Sequence, residues 1–379
     1  MAKITYLLGA GASYNSCPIL ENQAEMMINV AGCEIGKIND VHNNNNYKKC
    51  DFINKIYLDN FDLNEYKICW WIGYFGEKAR EFNTIDTYAR KLYLNNEIDE
   101  YNRLKMCVSV FFDLWENFYY NRFTLKDDNP FNKIDNRYKS LFSVLLDVED
   151  KKIRLNNDFK FVTWNYDLQL EETFKLFLND HSLTDLDELN SNNFKFKNDN
   201  NTNNNNDVFH LNGLRGFYKI INNENEKDLL LKNSLVYNDY WVNHKNLYDD
   251  LTSGKIKFEN NIKYAWEHKL DDAFFKNISK VLNDTEILII IGYSFPAFNR
   301  KIDQFLFKNL NCNVLKKIIY QDPNADKEMI INLFEDIYNY DKVDIKILTD
   351  EKSLKQFYLP NEHFLIQNNG PHGVDPRGF

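Results

Sequence analysis

Five short clusters in the 379-residue chain bring together residue types that do chemistry. The first is Gly9-Ala10-Gly11-Ala12-Ser13. Glycines there let the backbone turn tightly and approach a pyrophosphate, and a helix following them offers free N–H groups and a positive dipole end. Tyr14 stands where the dinucleotide fingerprint has its third Gly, so the cluster also reads as an ordinary strand-to-helix turn. The second, Thr163-Trp164-Asn165-Tyr166-Asp167, supplies an amide and a carboxylate that can orient a hydroxyl or a water; both residue types also cap helices well. In the third, Val208–Gly213, His210 and Asn212 face the same way if strand alternation runs through them. A His there is either an acid–base group or a satisfied structural residue. Ile291-Gly292-Tyr293-Ser294-Phe295-Pro296 and Gln321-Asp322-Pro323-Asn324 complete the set.

These clusters need a scaffold that collects them at one edge. Short β-branched and aromatic runs at Ile4–Leu8, Phe159–Thr163, Val208–Leu211, Glu286–Ile291, Leu315–Tyr320 and Val343–Leu348 read as strands, and each cluster places its polar residues at or just beyond the carboxyl end of one. Several runs, above all ILIII at 287–291, are apolar on both alternations, which suits a parallel sheet covered on both faces. The expected fold is α/β: a Rossmann-like, doubly wound parallel sheet of about six strands with a helical insertion or cap domain. The core is expected to be discontinuous, over about 1–35, 150–215 and 280–350. A helical insertion is expected over about 50–148, where apolar residues recur at helical spacing, and a small helical cap over about 216–280. Asn43–Asn46 and Asn198–Asn206 lack apolar side chains and read as solvated loops.

Aromatic residues make up 15% of the chain, enough apolar area to offset chain entropy, so it folds rather than staying disordered. A net charge of −10 argues against a general nucleic-acid surface, which needs clustered Lys and Arg. The six cysteines contain no CxxC pair and the seven histidines no HxxxH, so no metal site is expected. No run reaches the ~18 apolar residues of a membrane span, and MAKITYLLGAGAS is too short for a signal peptide. A cytoplasmic location is therefore expected, with the cysteines as buried thiols.

The ordered set GAGAS, TWNYD, HLNG, IGYSFP and DPN resembles the sirtuin-like domain of bacterial antiphage defence NADases, over approximately 1–20, 159–215 and 286–326. The resemblance implies that NAD is bound as substrate, without metal. It implies that Gly9, Gly11 and Ser13 line the diphosphate and that Ser294 and Asn324 contact the adenosine half. Ala10, Ala12, Thr163, Gly292 and Asp322, in the same clusters, are expected at the same site. Asn165 matches the family's active-site Asn and Asp167 the Asp two residues after it. The family's catalytic His directly precedes the Gly of its motif; here that position is Asn212, and His210 lies two residues earlier, ~6–7 Å along a strand. Either His210 serves from the same strand face, or the chain is a weakened form that still binds NAD. Without the cysteines of a deacylase zinc ribbon, hydrolysis of NAD is expected rather than deacylation. No acidic residue ends a second strand about twenty residues after the Gly loop, which disfavours an oxidoreductase. An NADase needs gating, so a homo-oligomer or a separate partner subunit is expected, a HerA-type ATPase being one candidate by resemblance. The alternative is a non-catalytic NAD or ADP-ribose binding module of a defence complex.

Overall fold

The run ILIII has no polar face, and it forms the central strand Ile287–Ile291 with every residue buried. In the computed structural model, which describes residues 2–43, 67–123, 131–178, 186–196, 206–221, 226–230, 257–334 and 342–364, this strand belongs to a six-stranded parallel sheet. Numbered in chain order, the described strands are β1 (Ile4–Leu8), β2 (Leu146–Glu149), β3 (Lys152–Leu155), β4 (Phe159–Thr163), β5 (Val208–His210), β6 (Phe217–Ile221), β7 (Glu226–Leu230), β8 (Lys257–Asn260), β9 (Ile287–Ile291), β10 (Lys317–Gln321) and β11 (Asp344–Leu348). The sheet runs β11-β10-β9-β1-β4-β5. Counted along the chain, the sheet has the two-halved layout of a doubly wound fold, and the order reverses between β1 and β9.

Alternation along the strands splits the core into two layers. Tyr6, Leu8, Phe161, Ile289 and Ile291 pack on one face with α5 (Asn136–Leu145), α6 (Gln169–Lys175) and α7 (Leu186–Asn192). Leu7, Val162, Leu288, Ile290 and Ile318 pack on the other with α8 (Ala273–Asn283), α9 (Arg300–Lys308) and α10 (Lys327–Leu333). Each large side chain so buried contributes roughly 1.5–3 kcal/mol, so the sheet is held from both sides.

Within the expected insertion, the described residues form α2 (Lys67–Glu81), α3 (Ile85–Leu94) and α4 (Ile98–Leu114), which share a third core with α1 (Leu20–Asn43), whereas α5 packs on the sheet and Leu146–Glu149 is strand β2. The α4 helix is buried nearly all round in its second half and runs into a π-helical turn, Trp115–Tyr119, closed by Tyr120 N donating to Trp115 O at 2.9 Å. The expected helical cap is corrected in part. Among its described residues, β7-β6-β8 form an antiparallel sheet, because Phe217–Ile221 pairs with both neighbours. The apolar run that suggests helix lies mostly at 231–256, outside the described residues, as do 44–46 and 198–205 of the Asn-rich stretches. The ends of the strands also shift slightly: β5 stops at His210, one residue before the expected end. Among the described residues, no helix is long and apolar enough to cross a membrane.

Candidate functional site

Strand register is what gathers the five clusters. Leu8 is level with Thr163 and with Ile291, Thr163 with His210, and Ile291 with Gln321. The loops after β1, β4, β5, β9 and β10 therefore leave the sheet along one edge, on both sides of the reversal in strand order, where open α/β sheets bind ligands.

Two glycine loops meet there backbone to backbone. A Cβ on Gly9 would lie 2.5 Å from Gly292 O, and one on Gly292, whose φ is +61°, would lie 2.3 Å from Ala12 N. Gly9 N donates to Ile291 O, Gly11 N to Gly292 O and Ala12 N to Gly9 O, so these N–H groups hold the loops together. Close loop packing, rather than approach to a phosphate, is what demands glycine at 9 and 292. Gly292→Ala is expected to destabilise the fold by about 4 kcal/mol or more, since strain and clash add. Gly216 has φ +75° but open space around a Cβ, so Gly216→Ala should cost only about 1–2 kcal/mol. Denaturant midpoints of the two variants measure the difference; equal losses would contradict the packing role.

The cavity at this edge has a volume of about 280 Å³, just below the roughly 300–1,000 Å³ of small-molecule sites. Ala10 and Gly11 line it from the first cluster, Asn165 and Asp167 from the second, Asn212 from the third, Gly292 and Ser294 from the fourth, and Asp322 and Asn324 from the fifth. Pro18, Ile19, Leu20 and Glu21 bring the start of α1 to its wall. Asn165 and Asp167 are buried, whereas Ser294 and Asn324 are exposed, so the site has a deep end and a mouth.

Of the remaining expected residues, Gly9, Ala12, Ser13, Thr163 and His210 are not among those lining the cavity. Ser13 and Thr163 instead position Asn165. Asn165 Nδ2 donates to Ser13 Oγ at 3.1 Å, and Asn165 N donates to Thr163 Oγ1 at 3.0 Å. The expectation that His210 and Asn212 share a face is corrected: the strand ends at His210, and residues 211 and 212 turn. His210 is buried, with Nε2 2.8 Å from Glu171 Oε1. Its Nδ1 lies 3.4 Å from Asn165 O, beneath the loop. Asn212 Nδ2 donates to Trp164 O at 2.8 Å, and Asn212 O accepts from Lys263 N.

Sequence reasoning misses the polar groups that brace this loop. Arg215, fully buried, pairs with Asp113 and with Glu116 of the π-helical turn. Glu116 also accepts from Gln169 Nε2 at 3.0 Å and from Leu168 N, so the insertion is tied to the residues that directly follow Asp167. Arg137 Nη2 donates to Gly11 O and Ala12 O, pinning the first glycine loop to α5. Burial, and then the neighbouring Glu116 carboxylate, push the Asp167 carboxyl up to about 7. Burial also raises Asp322, and it takes Asp303, which accepts from Tyr293 OH at 2.8 Å, to about 8. Asp86, in the first turn of α3, lines the cavity as well, and desolvation brings its carboxyl to about 6. Asp86, Asp167 and Asp322 line the cavity, and no Lys or Arg among the described residues does. Among the described residues no group of His, Cys, Asp and Glu has the arrangement of a metal site.

No protein-family model matches the chain. A stretch of 156 residues is 30% identical to GDP-fucose protein O-fucosyltransferase 2 of Plasmodium berghei (strain Anka), covering 39% of this chain and 32% of that protein. The chain thus spans about a third of the length of that curated relative, and the likeness assigns it to no family.

Proposed function

We propose that the protein hydrolyses NAD to nicotinamide and ADP-ribose, as a sirtuin-like enzyme. The observation that carries this reading is the cavity at the reversal of strand order, lined at its buried end by Asn165 and Asp167. Breaking the nicotinamide–ribose bond builds positive charge on the ribose, as in glycoside hydrolysis, and the leaving ring departs neutral without a strong acid. The protein must orient the ribose, place a water and stabilise the cation.

Asn165 is the orienting group. Its Nδ2 is committed to Ser13, which leaves Oδ1 to accept from a ribose hydroxyl or from the attacking water. Asp167, once ionised, stabilises the cation, and Asn212 completes the polar contact from the facing turn. His210 acts through the loop it supports. Because the Asp167 carboxyl titrates at about 7, turnover should rise with pH through that value. Its stability effect runs the other way. The folded pKa lies above the ordinary ~3.9, so the contribution is fully present below about pH 4 and is lost as pH rises through about 7. Asp167→Asn should therefore flatten both profiles; a pH–rate profile and a melting series compared with wild type check it, and an unchanged stability profile would contradict the assignment.

The gated role in antiphage defence and a partner such as a HerA-type ATPase or further copies of this chain rest on the sequence resemblance, and the cytoplasmic location on the short apolar runs of the sequence. A second reading, a module that binds NAD or ADP-ribose without turnover, is favoured by one observation: the resemblance puts a His at 212, and the nearest His is tied to Glu171. The two are separated by measuring NAD binding and nicotinamide release on wild type and on Asn212→His. Binding by both with release only from the variant selects the second reading; release by wild type selects the first.

A further inference from the structure

Gln23 and Asp86 stand outside every sequence cluster, yet both line the cavity, one from the first turn of α1 and the other from the first turn of α3. Gln23 is 3% exposed, and its Nε2 donor has no hydrogen-bond partner among the described residues; neither has Oδ1 of Asp86. A buried amide donor and a buried carboxylate oxygen without partners are each destabilising, which a ligand can relieve. Between these helices and the Asn165 loop, Phe112 and Tyr166 also line the cavity, with ring centroids 5.6 Å apart. The wall thus offers two aromatic rings, one donor and one acceptor.

We infer that Gln23 and Asp86 form a recognition pair for a primary carboxamide carried on an aromatic ring, and that they select the nicotinamide form of the dinucleotide over its nicotinic-acid form. The inference rests on the NAD reading above and extends it to residues of α1 and the insertion. Gln23 Nε2 donates to the amide carbonyl, and an Asp86 oxygen accepts from the amide nitrogen. A carboxylate in place of the amide has no hydrogen to give and meets the charge of Asp86, so it is repelled. Neither residue touches the bond that breaks; both set specificity.

The test measures binding of NAD, nicotinic acid adenine dinucleotide and ADP-ribose to the full chain by calorimetry, in an Asn165→Ala background so that neither dinucleotide turns over. The unsubstituted pair should prefer NAD over the acid by about 100-fold or more, as a site built to bond a polar group rejects its mismatch. Asp86→Asn, which can donate to a carboxylate, should cut that preference at least about tenfold. Gln23→Met should weaken both dinucleotides. ADP-ribose, which lacks the ring, should bind all three proteins equally, and the unfolding midpoint of Asp86→Asn should be unchanged or raised because a desolvated charge is removed. Dinucleotides and ADP-ribose that bind with the preference unaltered by either substitution would overturn the inference and leave the NAD reading standing. Failure of all three ligands to bind the parent chain would overturn both.

Discussion

Arg215→Met is expected to lose at least about 3–5 kcal/mol of stability, the largest effect of any single polar substitution in the core. The guanidinium is 2% exposed and pairs through two of its nitrogens with Asp113 and Glu116, on the last turn of α4 and the π-helical turn after it. Methionine fills much of the space but removes the guanidinium charge that pairs with both carboxylates. Breaking such a group by removing one partner is costly because charge stays buried, even where the intact group contributes little net stability. Arg215→Lys keeps the charge but not the fork that reaches both carboxylates, and should fall between the two. Guanidinium midpoints at pH 7 read the series. A loss below about 1 kcal/mol for Arg215→Met would mean that Asp113 and Glu116 are stabilised elsewhere.

The second large effect is catalytic. Asn165→Ala should lower nicotinamide release by about 100- to 1,000-fold, the usual loss when one oriented polar group is removed from a transition state. Its cost to stability should stay near about 1 kcal/mol, because the substitution chiefly removes the side-chain hydrogen bond to Ser13. Asn165→Asp retains the shape but adds a carboxylate beside Asp167, and should raise the pH needed for turnover. Single-turnover assays under activating conditions, paired with melting curves, separate the two consequences. An Asn165→Ala protein that releases nicotinamide at the wild-type rate would remove Asn165 from the reaction.

The sheet is legible in the sequence because its signal is local. ILIII, FKFVT and ITYLL carry enough apolar residues on both alternations to specify a covered strand before any partner is known. Glycines at 9, 11 and 292 are legible as special, but not as glycines packed on one another from opposite ends of the chain; that fact depends on the pairing of β1 with β9. Alternation misjudges His210 because it assumes that the strand continues, whereas Gly213, at φ +73° with Asn261 O only 1.9 Å from where a Cβ would stand, marks a turn already under way. The cap reads as helix from a run whose greater part lies at 231–256, while strands β6 and β8 pair across that interval. Arg215, Glu116, Gln23 and Asp86 are invisible for a common reason. Each is a polar residue in a helix or turn with no local pattern, and what distinguishes it is a neighbour up to about a hundred positions away.

The central claim is tested most directly by incubating the purified full chain with NAD, alone and with lysate from phage-infected cells, and measuring nicotinamide and ADP-ribose together. The expected result is release of both in equal amounts under at least one of these conditions, abolished in Asn165→Ala. Retained NAD binding with neither product formed under any condition would contradict hydrolysis and leave a protein that only binds the dinucleotide.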